Sequence, residues 1–291
     1  MHIRSVWRCA LTAVVVLSSV LTGRSLSAGT VWPYDFGSGT GTFTSGESTS
    51  FLPTPSADGG TARVRIGSGG GQFALVNPGS GNSSLVGTAS SNTSVNKFSI
   101  YDFAGTGLFT LRAELTFSGG DSGSWQLFLG NGATFSNNST FNGVETFTGL
   151  RWDYDASDGL EMSRRADGSS SWLVSSLPDV SQQTTYTFAI YGNNTATATA
   201  YKGGTLSPGT WDLWLDGSLV SAGLPKASLP DGTAIDSLMF NGASSGGNAA
   251  TLTIGSLAYT NAVPEPHGWT QALIAAGGLV VAAAARRFQR G

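Results

Sequence analysis

The chain has 291 residues, of which 40% are hydrophobic and 11% are charged, and its formal net charge is −3. Residues 29–262 carry nine positive and seventeen negative side chains, a net charge of −8. An acidic segment without a basic patch argues against nucleic acid and anionic lipid as partners. The only cysteine, Cys9, and both histidines, His2 and His267, lie outside this segment. The segment therefore cannot form a disulfide, a Ser-His-Asp or Cys-His triad, or a zinc site with His or Cys ligands.

Residues 1–28 have the order of a secretory signal peptide. Arg4 and Arg8 come first, a largely apolar stretch covers 9–21, and small residues follow up to Ser27 and Ala28. A positive region, an apolar region and a small-residue cleavage site are the three parts of such a signal. We therefore predict an N-terminal signal helix, cleavage after Ser27 or Ala28, and export across the inner membrane.

Residues 29–262 are predicted to form one all-β domain. Hydrophobic and polar residues alternate with a period of two along several segments, which is typical of half-buried strands. In the segment 108–117 the residues on one face are Phe109, Leu111, Ala113, Leu115 and Phe117. The segment 211–220 contains Asp216-Gly217, which predicts a hairpin. Many short strands separated by Gly, Asn, Asp and Ser indicate a two-sheet antiparallel β-sandwich.

The hairpin at Asp216-Gly217 and the strand 237–240 that follows resemble the late strands of concanavalin-like jelly rolls. The resemblance covers residues 98–260 and implies a jelly roll of the concanavalin or laminin-G type. The segment 29–97 is richer in Gly, Ser and Pro. We expect it to add edge strands and long loops to the same domain, and a separate small domain is the alternative.

Two tryptophans are candidates for glycan binding, because an exposed aromatic ring can stack on a sugar while Asp or Asn oxygens bind its hydroxyls. Trp214 shares its strand face with Asp212, whereas Trp211 alternates with leucines and is expected to point inward. Trp172 lies in a Ser-rich segment, and its orientation is open. Core packing is the alternative for each tryptophan, and Trp125 and Trp152 are expected in the core.

A possible calcium loop follows the strand that contains Trp152. Its candidate ligands are Asp153, Asp155 and Asp158, close together and followed by Gly159. The same residues suit a hairpin turn, which is the alternative. Glu114 and Glu145 are the only glutamates on plausible strands, and neither has an acidic neighbour at strand spacing, so no enzyme activity is expected.

The C-terminal residues 263–291 combine a short motif, an uncharged apolar stretch at 269–285 and a basic end. The motif and the basic end are Val263, Pro264, Glu265 and Pro266, then Arg286 and Arg287. A helix over 269–285 would cover roughly 25 Å, the short end of a bilayer span, and the arginines would stay cytoplasmic. This order resembles the PEP-CTERM sorting signal of Gram-negative bacteria that make extracellular polysaccharide. The resemblance implies an exosortase-type processing enzyme as partner; a plain membrane anchor is the alternative.

These features predict an exported, non-enzymatic cell-surface or extracellular-matrix protein. We expect it to be anchored transiently in the inner membrane, processed through its C-terminal signal, and associated with extracellular polysaccharide or biofilm. The alternative is a carbohydrate-binding, lectin-like module. No cofactor other than calcium is expected.

Overall fold

The computed structural model describes residues 29–79, 81–90, 96–136, 143–157, 159–174, 177–243 and 250–264. The predicted signal helix at 1–28 and the predicted transmembrane helix at 269–285 lie outside these ranges and stay predictions. Within the described ranges, no helix is long and apolar enough to cross a membrane. Helical structure there consists of one turn, α1 (Ala133–Ser136), and a 3-10 turn, Gly143–Glu145.

Two nine-stranded sheets form the body of the protein. In spatial order the first sheet contains β18 (Ser218–Pro225), β17 (Thr210–Leu215), β14 (Thr185–Asn193), β8 (Leu108–Ser118), β20 (Thr251–Thr260), β6 (Ser84–Thr88), β5 (Gln72–Val76) and β2 (Gly41–Phe43), with β1 (Val31–Tyr34) also paired to β20. The second sheet contains β12 (Trp172–Leu173), β11 (Gly159–Arg165), β10 (Thr146–Tyr154), β9 (Ser124–Gly130), β19 (Ser237–Ala243), β7 (Asn96–Tyr101), β4 (Thr61–Ile66) and β3 (Gly46–Ser48), with β13 (Val180–Ser181) also paired to β11. A separate hairpin joins β15 (Thr199–Tyr201) to β16 (Gly204–Leu206).

The prediction of an all-β, two-sheet antiparallel sandwich is confirmed. On β8, every second residue from Phe109 to Phe117 is at most 1% exposed, as the alternation predicts. The predicted hairpin is also present, with Leu215 opposite Ser218. Asp216 and Gly217 both have positive φ, 49° and 81°, which a two-residue hairpin turn of type I′ requires.

The segment 29–97 supplies strands to both sheets. β1, β2, β5 and β6 belong to the first sheet, and β3, β4 and the start of β7 belong to the second. β1 pairs with β20 near the end of the described chain, so that Val31 lies opposite Thr260. This segment therefore packs as part of the same sandwich.

The core between the sheets is rich in aromatic rings. Trp125, Trp152 and Trp211, expected in the core, are each 0% exposed. The ring centroid of Trp152 on the second sheet lies 5.0 Å from that of Phe117 and 5.3 Å from that of Phe188, both on the first sheet. These contacts join the two sheets directly. Aromatic pairs at such distances stabilise the folded protein beyond the contribution of the area that they bury.

Candidate functional site

A continuous row of polar side chains crosses seven neighbouring strands on the outer face of the second sheet. Residues directly opposite each other in antiparallel strands project from the same face. Adjacent strands lie about 4.8 Å apart, so the row is about 29 Å long. In register order the polar row consists of Glu47, Arg65, Lys97, Asn241, Gln126, Arg151 and Ser163.

Three members of the polar row are buried with incomplete hydrogen bonding. Lys97, Asn241 and Ser163 are 6%, 9% and 0% exposed. The only bond of the Lys97 ammonium to the described residues is a long one, 3.5 Å, to the carbonyl oxygen of Thr134. Asn241 Oδ1 and Ser163 Oγ have no hydrogen-bond partner in the part of the chain that the structure describes. Such a buried group costs about 1–3 kcal/mol.

Trp172 lies at the edge of this face, beside two arginines. The guanidinium carbon of Arg165 is 4.2 Å from the centroid of the half-buried Trp172 ring, and that of Arg151 is 5.0 Å away. Arg165 also covers the ring of Phe128 at 5.2 Å. Gly149 permits this packing, because a Cβ there would lie 2.9 Å from both Arg165 and Phe128. The ring and the guanidinium groups together form a platform at one end of the polar row.

Positive charge is concentrated on this face, which the acidic composition did not indicate. Five of the nine positive side chains of residues 29–262 project from it: Arg63, Arg65, Lys97, Arg151 and Arg165. Burial, and then the nearby Arg65 and Arg63, lower the pKa of Lys97 to about 8. Burial, and then Arg151, lower the pKa of Arg165 to about 10.

Carboxylates lie among these positive charges. Glu47 Oε2 is 2.9 Å from Arg63 Nη2, and Asp153 Oδ2 is 2.6 Å from Arg151 Nε. Asp153 also lies opposite Glu161 on the neighbouring strand. Burial raises the pKa of Asp153 and Glu161 raises it further, whereas Arg151 lowers it; the net direction is upward. The face therefore offers both cations and hydrogen-bond acceptors.

Lys97→Met is expected to remove a pH dependence of stability. The Lys97 ammonium loses its proton at about pH 8 in the folded protein, against an ordinary pKa of 10.5. Between these values the unfolded chain binds more protons, so the free energy of unfolding of the wild type rises with pH. Urea unfolding at about pH 7 and about pH 9.5 should show this rise in the wild type and a smaller one in Lys97→Met. Parallel pH profiles would contradict the assignment.

The expected exposed pair of Trp214 and Asp212 is not observed. Asp212 is only 3% exposed, because the β15–β16 hairpin covers this part of the first sheet. Its carboxylate accepts hydrogen bonds from the Tyr201 hydroxyl and, at 2.6 Å, from the Gly223 amide. The Trp214 indole donates to Tyr201, and Lys202 Nζ lies 4.1 Å from its ring. Of the expected pair, the Asp212 carboxylate is therefore already hydrogen-bonded and buried, whereas Trp214 is half-buried.

The aromatic cluster of Tyr191, Tyr201 and Trp214 instead contacts the beginning of the predicted sorting motif. Val263 packs against the cluster, and the carbonyl oxygen of the preceding Ala262 accepts a 2.6 Å hydrogen bond from Thr110. The chain is therefore held against the outer face of the first sheet up to this point. Of the motif and basic end, Glu265, Pro266, Arg286 and Arg287 lie outside the described residues.

The candidate calcium loop forms a hairpin turn between β10 and β11. Asp155 Oδ1 accepts hydrogen bonds from the amide and hydroxyl of Ser157, at 2.8 and 2.6 Å, and from the Gly159 amide at 3.2 Å. Asp153 pairs with Arg151, as described above. Asp158 lies outside the described residues, among which no group of three or more His, Cys, Asp or Glu side chains could hold a metal ion. The calcium site stays a prediction.

The two glutamates considered for catalysis lie on different elements with different neighbours. Glu114 is on the first sheet, with Oε2 3.4 Å from the Ser256 hydroxyl. Glu145 ends the 3-10 turn, and its carboxylate accepts a 2.6 Å hydrogen bond from the Thr134 amide at α1. The carboxyl pair that the sequence did not indicate is Asp153 and Glu161, because their proximity depends on the register of β10 and β11.

No family model matches the chain, and no curated protein sequence matches it. Solved structures match in 110 chains. One is the Emp47p carbohydrate recognition domain, at 10% identity and a TM-score of 0.43 over 83% of this chain and 100% of that chain. Another is the cellulose induced protein Cip1, at 15% identity and a TM-score of 0.42 over 67% and 88%.

A third is the binding domain of Botulinum neurotoxin DC in complex with rat synaptotagmin II. It is 11% identical, with a TM-score of 0.44 over 78% of this chain and 49% of that chain. The likeness to all three is remote.

Proposed function

We propose that the protein is an exported, non-enzymatic cell-surface or matrix protein that binds polysaccharide through the polar row and Trp172. The observation that carries this proposal is the line of polar and charged groups beside the half-buried Trp172. The members of the row that a ligand can reach are the exposed Glu47 and the half-buried Arg65, Gln126 and Arg151. Sugar hydroxyls both donate and accept hydrogen bonds, so they complement all these groups. An aromatic ring with a polar rim suits the apolar face of a sugar.

Trp172→Ala is expected to weaken retention on polysaccharide from the producing cells about tenfold, because a lost aromatic contact of about 1.4 kcal/mol changes an affinity by that factor. Trp214→Ala is the matched control and should bind like the wild type, since Trp214 is half-buried like Trp172 but lies on the first sheet, away from the polar row. Retention is measured by affinity electrophoresis. Loss of retention in Trp214→Ala alone would refute the proposed site.

Glycoside hydrolysis is a second candidate, favoured by Asp153 and Glu161, which lie directly opposite each other. A glycosidase needs two carboxyl groups that flank the scissile bond. Here the two carboxyl groups are side by side on neighbouring strands, and Asp153 is paired with Arg151. Incubation of the protein with the same polysaccharide distinguishes binding from hydrolysis. We expect no increase in reducing sugar ends, and a steady increase would identify an enzyme.

The C-terminal motif is proposed to direct processing by an exosortase-type enzyme. The described chain ends at Pro264, immediately after Val263 has packed on the first sheet. The residues between Pro264 and the predicted span at 269–285 reach at most about 18 Å. Before processing, the sandwich would therefore lie close to the outer surface of the inner membrane, and the motif would lie between the two.

A further inference from the structure

We propose that the polysaccharide bound by the polar row is acidic, and that Arg65, Lys97 and Arg151 select its anionic groups. This inference rests on the proposed function and adds the chemical class of the ligand. It concerns a glycan that carries carboxylate or similar anionic substituents separated by neutral sugar units.

The distribution of charge over the protein supports an anionic ligand at this face. The outer face of the second sheet holds five positive side chains and three carboxylates: Arg63, Arg65, Lys97, Arg151 and Arg165, with Glu47, Asp153 and Glu161. The rest of residues 29–262 holds four positive and fourteen negative side chains. A locally positive face on an acidic protein is complementary to an anionic partner.

Lys97 is the strongest single indication. It is 6% exposed, its register neighbours are Arg65 and Asn241, and no ion pair joins it to a carboxylate within the described ranges. A buried ammonium next to another cation is unfavourable unless an anion compensates it. A carboxylate of the ligand bound at the half-buried Arg65, which lies opposite Lys97, would supply that compensation through space without touching Lys97.

The spacing of charge along the polar row suits a glycan with separated anionic groups. Between Lys97 and Arg151 lie only the amides of Asn241 and Gln126. The two cationic strand positions are three strand spacings apart, about 14 Å. Amides bind neutral hydroxyls, so positions for hydroxyl groups separate the two cationic positions.

The carboxylates on the same face favour an acidic glycan over a nucleic acid. Asp153 and Glu161 would repel the closely spaced phosphates of a nucleic acid, whereas sugar hydroxyls can donate hydrogen bonds to them. The guanidinium groups of Arg151 and Arg165 also lie against the Trp172 ring.

The experiment compares hyaluronan, in which carboxylate sugars alternate with neutral sugars, its fully methyl-esterified form and neutral dextran as probes for the mature protein. The ester keeps the sugar chain and removes its charge, so it isolates the electrostatic contribution. We expect hyaluronan to bind at least on the order of tenfold more tightly than the ester. Lys97→Met and Arg151→Gln should each lose most of that difference, and added salt should weaken only the binding of the acidic probe.

Lys202→Met is the matched control, because it removes one positive charge from the first sheet and leaves the polar row intact. It should bind hyaluronan like the wild type, and thermal unfolding verifies that each variant is folded. Equal binding of acid and ester, with dependence on Trp172, would overturn the acidic inference and leave the proposed function standing. Binding to none of the three probes would overturn both. A DNA oligonucleotide that binds as tightly, with the same loss in Lys97→Met, would replace the glycan by a nucleic acid.

Discussion

Replacement of Trp152 by alanine is expected to lower the free energy of unfolding by about 3–5 kcal/mol, the range found when a large buried aromatic is truncated. Trp152 is 0% exposed and contacts Phe117 and Phe188 across the sandwich. Truncation leaves a cavity between the two sheets. The hydrogen-bonded strands of each sheet prevent the cavity from collapsing. Urea unfolding of the mature protein, followed by fluorescence and circular dichroism, measures the change.

Phenylalanine substitutions provide a sharper control. The Trp152 indole N–H has no hydrogen-bond partner within the described ranges, whereas the Trp125 indole donates to the carbonyl oxygen of Ala250 at 3.0 Å. Trp152→Phe removes a buried donor that has no partner. Trp125→Phe removes a donor and leaves the Ala250 carbonyl oxygen without that hydrogen bond. We expect Trp125→Phe to cost more. A larger cost for Trp152→Phe would contradict the described packing.

The triple variant Pro264→Ala/Glu265→Ala/Pro266→Ala is expected to abolish C-terminal processing. The two prolines keep Glu265 in an extended backbone that a processing enzyme can bind. Intact mass of the protein from cells and medium is the measurement. The wild type should lack the residues beyond about Pro266, and the variant should stay uncut in the membrane fraction.

Pro208→Ala controls for expression, because Pro208 is exposed in a turn outside the motif. It should be processed like the wild type. An intact C-terminus in both the wild type and the triple variant would identify an ordinary membrane anchor and exclude the exosortase assignment.

The sandwich was predictable from sequence because its strands have strong local signals. On β8 the alternation from Phe109 to Phe117 fixes which face is buried, and Asp216-Gly217 fixes the turn of one hairpin. A period of two assigns side chains to faces but does not say what covers each face. The β15–β16 hairpin covers Asp212, so the expected exposed pair with Trp214 is absent.

The polar row was not predictable from sequence. Its seven residues come from seven strands and span positions 47 to 241. Taken singly, each is an ordinary polar residue on a strand, and only the tertiary register aligns them. Trp172 was considered because it is a tryptophan, but its role depends on Arg151 and Arg165, which the chain brings beside it through β10 and β11. The sequence offers one signal for such a row, which is the occurrence of polar residues at alternating positions of many strands.

The most direct test of glycan binding at the second sheet is an NMR titration of the tryptophan indole N–H signals. Residues 29–262 contain six tryptophans, and Trp172→Phe and Trp214→Phe assign the two signals that matter. Addition of oligosaccharide fragments of the polysaccharide should shift the Trp172 signal and leave that of Trp214 in place. A shift of the Trp214 signal with no change at Trp172 would contradict the proposed site.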